Sequence, residues 1–164
     1  MTKKPVSKEK ALSRLETLCS RSEQCENDLN RKMILWGVSS DSRREIIGIL
    51  KANKFLDDSR FALSYAHDKA KFSAWGPYKI KAELIRRKIS STDIKNSLAS
   101  IDSSIWKAGL IKCAVAKTKG MILTGEEGFE NGRKVFRYLI SRGFPSAASS
   151  RIINFLKRKQ IEAT

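Results

Sequence analysis

The feature that most constrains this 164-residue chain is a helix-and-stop pattern that occurs three times. It is carried by "LNRKMILWGVSS" from Leu29, "IKAELIRRKISS" from Ile80 and "VFRYLISRGFPS" from Val135. In each, an apolar residue is followed four positions later by another: Met33, Leu84 and Leu139. Four further on stands a stop (Gly37, Lys88, Gly143), then an apolar residue (Val38, Ile89, Phe144), and a helix with spaced apolar residues follows. The stops lie 51 and 55 residues apart. Apolar residues spaced by four share one face of a helix, and a residue in the left-handed region ends it. A single three-helix unit buries little apolar surface, so such units must stack on neighbours.

The rest of the chain reads as helices too, and nowhere does a run of period-two alternation indicate a strand. Ala11, Leu12, Leu15, Leu18 and Cys19 share a face. Ser22 is a candidate cap for the second helix, Asp41 opens a third, and Asn53 is a candidate left-handed stop after it. A fourth begins at "FLDDSRFA" with Phe61, Tyr65 and Phe72 on one face. Gly76-Pro77 starts the fifth, with proline at the first helical position. The fifth helix has two apolar faces, Ile80 with Leu84 and Tyr78 with Ala82 and Ile85, which predicts a sandwiched helix. Sixth to ninth helices follow around Ile94, Leu110, Val135 and Ile152. Gly120, Gly125, Gly128 and Gly132 predict a flexible glycine-rich loop over 120–132. The expected organisation is a flexible basic tail over 1–8, then three-helix repeats at 9–55, 56–101 and 102–160.

Charge bounds the partner rather than the fold. Lys and Arg number 33 against 17 Asp and Glu, a net charge of +16. Residues 1–53 carry 11 basic and 7 acidic groups, residues 54–101 carry 10 and 5, and residues 102–164 carry 12 and 5. The excess is therefore spread over the body and rises toward the end, which points to an anionic partner. Cys19, Cys25 and Cys113 form no pairing framework and show no zinc spacing, so a reducing compartment is expected. Neither a membrane-spanning stretch nor a secretory signal is legible.

Asp57-Asp58 could bind a metal, but no histidine or carboxylate cluster lies at a helpful spacing. As a helix start, every residue of the stretch is used. Asp57 is the cap, Asp58 sits at the positive helix end, and Leu56 and Phe61 occupy the positions of a hydrophobic staple. His67 has no nucleophile motif around it, and the glycines lack the G-K-[ST] of a phosphate cradle. Trp36, Trp75 and Trp106 read as packing residues before they read as base-stacking ones. No catalytic residue, cofactor site or metal site is expected. The binding candidates are the basic clusters: Lys79, Lys81, Arg86, Arg87 and Lys88 on the fifth helix, Arg133, Lys134, Arg137 and Arg142 on the eighth, and Lys157, Arg158 and Lys159 on the ninth.

Residues 55–98 resemble the central segment of the RecX regulatory proteins. The marks are Leu56, Asp57, Asp58, Arg60, Phe61 and Ala62, then Gly76, Ile80, Glu83 and Leu84, then Ile89. Ser22, Asp28, Leu29, Lys32, Met33 and Gly37 agree more loosely, as do Arg142, Gly143 and Phe144. Lys88 departs from the family, which tends to have glycine there. Pro145 stands where the first two repeats have Ser39 and Ser90. The resemblance implies an all-α fold, three tandem three-helix repeats in an elongated, curved modular array. It implies a cytoplasmic, non-enzymatic modulator, usually an inhibitor, of the RecA recombinase filament on single-stranded DNA, and a monomer is expected. Two rivals remain open: the charge suits a general basic DNA-binding protein that competes for single-stranded or duplex DNA, and the short helix pairs suit a helix-turn-helix repressor, which ranks last because no segment presents a recognition helix rich in Asn, Gln or Arg.

Overall fold

The computed structural model describes residues 5–163, and these form nine α-helices and no strand. They are α1 (Lys8–Arg21), α2 (Glu26–Leu35), α3 (Ser40–Ala52), α4 (Asp58–Lys71), α5 (Pro77–Arg86), α6 (Ser91–Ala99), α7 (Ser103–Thr118), α8 (Gly125–Ser141) and α9 (Ser146–Glu162). The chain divides into two compact units. One holds the described residues through Ser64 together with Leu84–Asn96; the other holds Tyr65–Glu83 and the described residues from Ser97. In the first, α3 packs on α1 and α2 around Ala11, Leu15, Leu29, Met33, Ile46, Leu50 and Leu56. In the second, α7, α8 and α9 pack together around Ala114, Val135, Leu139, Phe144 and Ile153.

The three stops close their helices in one way. Gly37, Lys88 and Gly143 have φ of 73°, 60° and 88°. The next residue's N–H reaches back to the carbonyl of the apolar residue five before it: Val38 to Met33 at 3.0 Å, Ile89 to Leu84 at 3.1 Å and Phe144 to Leu139 at 3.1 Å. Both partners are buried in each case. This is a Schellman closure, in which a left-handed residue lets two orphan carbonyls be satisfied and two apolar side chains meet. Lys88 takes the left-handed turn although it has a Cβ, so its departure from glycine changes the strain and leaves the geometry intact. Two of the closures lead into a serine cap. Ser39 accepts from Ser42 N–H at 3.3 Å and Ser90 from Asp93 N–H at 3.0 Å. Pro145 offers no side-chain acceptor, so α9 starts without one.

Several expectations shift. Cys25, rather than Ser22, precedes α2, and Ser22 instead ends α1. The third helix begins at Ser40, and the left-handed residue after it is Lys54 (φ 59°), since Asn53 stays at φ −86°. Of the tail expected over 1–8, Met1–Lys4 lie outside the described residues. Val6 donates its N–H to Trp36 O at 3.0 Å and packs on the first core, and Lys8 is already helical. The glycine-rich loop over 120–132 is corrected to the short connection before Gly125. Gly128 and Gly132 are buried inside α8. A Cβ at Gly128 would stand 2.2 Å from the Leu123 carbonyl carbon, so this glycine permits close backbone approach. The connection is also pinned: Asn131 donates to Ile122 O at 2.9 Å, and Gln160 accepts from Leu123 N–H at 2.6 Å and donates to Met121 O at 3.1 Å. The predicted sandwich of α5 is corrected as well. Ile80 and Leu84 are fully buried, but Tyr78 is 62% and Ile85 56% exposed, so the second apolar face lies open.

Close approach also explains Gly76. Its N–H donates to Arg142 O at 2.7 Å, and Tyr78 N–H, in the first turn of α5, donates to Gly143 O at 3.1 Å. A Cβ at Gly76 would lie 2.3 Å from the Gly143 carbonyl. Two glycines thus let the turn between α8 and α9 fill the open amino end of α5.

Two glycine-related substitutions separate these constraints in urea unfolding. Lys88→Gly relieves the left-handed strain and raises stability by about 1 kcal/mol. Gly128→Ala forces α8 off Leu123 and lowers stability by roughly 1–3 kcal/mol.

Candidate basic interface

The two aspartates that open α4 have separate partners. Asp57 caps its own helix, accepting Arg60 N–H at 3.0 Å, and Leu56 and Phe61 are buried on either side of the cap. Asp58 turns away and accepts the N–H of Glu26, the first residue of α2, at 2.8 Å. Cys25 makes no side-chain cap there, so a carboxylate 32 residues along the chain takes that place. Burial pushes the Asp58 carboxyl above the ordinary aspartate range, and the Glu26 N–H pulls it partly back. Burial, with Asp58 nearby, also pushes the Cys25 thiol up to about 11, which leaves it protonated and unreactive near neutrality. Among the described residues, no group of three or more His, Cys, Asp or Glu could hold a metal.

The basic candidates differ in burial and in the partners they contact. The Arg87 guanidinium pairs with Asp28, both side chains about a quarter exposed (23% and 25%), and lies 5.8 Å from the Phe61 ring. Arg142 donates to Ser73 O and to Ala74 O, the latter at 3.2 Å. It thereby satisfies carbonyls where the chain turns through left-handed Ala74 (φ 49°). Lys79 sits 4.5 Å from the Trp75 ring, with Lys69 5.1 Å away from the same ring. Arg87, Arg142 and Lys79 are half-buried, and each holds a neighbouring element in place. Lys81, Arg86, Lys88, Lys134 and Arg158 are exposed. Lys159 is exposed too, paired with Glu162 at 2.8 Å and 5.9 Å from the Phe155 ring.

One set of candidates converges. Arg133 and Arg137 of α8 and Lys157 of α9 line a groove of about 370 Å³ together with Phe129, Phe136, Ile153 and Asn154. Its floor is open at Gly132, where a Cβ would come within 3.3 Å of Lys157 Nζ. Phe129 is 64% exposed at the groove and lies 5.9 Å from Arg133. Sequence reasoning missed Phe129, because a glycine-rich loop running to 132 takes it out of the register of α8, and it missed Asn154 of α9, because a neutral amide leaves no mark in a charge pattern. The moment of an amphipathic helix starting at Gly125 was the available signal.

With this geometry in place, the chain can be set beside known proteins. A family model described as "RecX, second three-helix domain" matches residues 57–98. A regulatory protein RecX from Chlorobium phaeobacteroides (strain BS1) is 30% identical over 129 residues, which cover 68% of this chain and 82% of that protein. The chain belongs to the RecX family. A regulatory protein RecX from Clostridium botulinum (strain Eklund 17B / Type B) is also 30% identical, over 76% of this chain. The chain spans 58% of the length of that clostridial relative. In fold, a crystal structure of a regulatory protein RecX superposes with a TM-score of 0.77 at 22% identity, covering 90% of this chain and 71% of that one. RecX from Lactobacillus salivarius gives 0.75 at 19% identity, covering 91% and 96%. The RecX marks between Leu56 and Ile89 fall on architecture: two caps, buried Leu56, Phe61, Ala62, Ile80, Leu84 and Ile89, and the close approach at Gly76. Arg60 pairs with Glu23 at 2.5 Å and donates to Lys54 O at 3.1 Å, and Glu83 is half-buried.

Two substitutions at Asp58 test its cap by unfolding. Asp58→Ala leaves Glu26 N–H without its acceptor and costs about 1 kcal/mol, while Asp58→Asn keeps an acceptor and costs less. The pH dependence has a definite sign. The folded carboxyl holds its proton to higher pH than the unfolded one, so its contribution to stability falls as pH rises through the range above the ordinary aspartate value. The stability of Asp58→Asn relative to the wild type therefore increases with pH across that window.

Proposed function

We propose that this chain binds the RecA filament on single-stranded DNA and inhibits it, suppressing ATP hydrolysis, filament extension and strand exchange. The observation that carries the reading is the match of residues 57–98 to the second three-helix domain of RecX in a chain of net charge +16. It acts as a regulator without chemistry of its own, in the cytoplasm and as a monomer. Three-helix repeats at 9–55, 56–101 and 102–160 give it several surfaces with which to engage successive filament subunits. The exposed cations Lys81, Arg86, Lys88, Arg133, Lys134, Arg137, Arg158 and Lys159, with Lys157 in its groove, meet acidic filament surface or phosphates. No helix among the described residues is long and apolar enough to cross a membrane.

The spread of positive charge favours one other reading, a general DNA binder that acts by competing for single-stranded or duplex sites. Titration into ATP hydrolysis by RecA preformed on excess single-stranded DNA separates the two. Inhibition at well below one protein per DNA site is the expected result. Inhibition that vanishes on adding free DNA would favour competition, and no effect on hydrolysis would contradict the filament reading.

A further inference from the structure

The groove between α8 and α9 combines four properties. It has three cations, an exposed aromatic ring, an amide and an open floor. Arg133 and Arg137 are one helical turn apart on α8, so their bases are separated by about 6 Å along the axis. That is comparable with the spacing of successive phosphates on an unstacked strand. Lys157 comes in from α9 and passes over Gly132, where a Cβ would stand 3.3 Å from its amine. No carboxylate lines the groove; Glu130 pairs with Arg133 at 3.2 Å from outside the lining. Arg137 and Lys157 make no ion pair among the described residues. Phe129 offers a π-face to solvent, and Asn154 can donate and accept at a base edge.

We propose that this groove seats single-stranded DNA, one base stacked on Phe129 with its flanking phosphates held by Arg133, Arg137 and Lys157. Cations beside an exposed aromatic ring are the recurring means of holding single strands without regard to sequence. An extended acidic peptide fits less well, since the walls are helices whose main-chain groups are already bonded and offer no edge for strand addition. An acidic helix would meet the cations but has no base to stack on Phe129. Duplex DNA presents its bases stacked and paired, so it can reach the cations but not the ring. The proposal deepens the filament reading: it rests on DNA being one component of the target and assigns that component to α8 and α9.

The test follows the anisotropy of a labelled oligothymidylate with the full chain, Phe129→Leu and Arg137→Gln over a range of salt. Each protein is also titrated into the filament ATPase assay. Both altered side chains are exposed, so the fold is retained, and circular dichroism checks it. The expected result is about a five- to hundredfold loss of affinity for Phe129→Leu. Arg137→Gln is expected to flatten the salt slope by about 0.7. Duplex binding should change little for Phe129→Leu. Wild-type binding by both variants, or no oligothymidylate binding by the unaltered chain, overturns the proposal. Phe129→Leu that binds oligothymidylate normally but no longer inhibits the filament also overturns it, because the groove then meets protein. Should the unaltered chain leave the ATPase untouched while Phe129→Leu still loses oligothymidylate, the groove assignment stands and the filament reading falls.

Discussion

A single left-handed residue at the end of α2, α5 and α8 is the constraint on which the fold depends. It turns the chain sharply enough for the following N–H to reach back over five residues. It also brings Val38 to Met33, Ile89 to Leu84 and Phe144 to Leu139 at the point where the next helix must leave. Without that turn the apolar residue after the stop would not be delivered to the core. The tolerance of lysine at position 88 shows that the geometry outranks the residue. The local cost of a Cβ at φ 60° is of order 1 kcal/mol, within what a buried Ile89–Leu84 contact can offset.

Two of the helices that end in these turns, α2 and α5, have their amino ends filled from elsewhere in the chain. Asp58 caps α2, and the Gly143 carbonyl takes the Tyr78 N–H of α5. Such ties couple helices that are far apart in sequence, and Asp58 and Gly76, two of the RecX marks, make them. Arginine is divided between the two tasks. Arg87 and Arg142 are held by Asp28 and by the Ser73 and Ala74 carbonyls, which orders their own unit. Arg133 and Arg137 stand at an open groove. Charge counted from composition cannot distinguish these, yet the distinction decides which residues a partner can meet.

Most of the helical fold was legible because it rests on local rules. Apolar spacing, the stops and the Asp57 cap are each read within a dozen residues. What escaped was set by residues distant in sequence. The start of α2 moved to Glu26 because its acceptor is Asp58, which no local capping rule can supply. Gly128 looked like a loop residue, whereas its role is contact with the Leu123 backbone. That same error hid Phe129, so the basic residues of the groove were identified and its aromatic ring was not. The open face of α5 was misread because periodicity shows that a face is apolar, not whether anything covers it.

We infer that the cations holding the fold and the cations meeting the proposed filament partner are different residues. Arg87→Gln tests it most directly, with unfolding free energy and affinity for the RecA–DNA filament measured on one preparation. The expected result is a stability loss of roughly 1–3 kcal/mol, since Asp28 is left half-buried without its partner, and unchanged filament affinity at temperatures where the variant is folded. Full stability combined with lost affinity would contradict it.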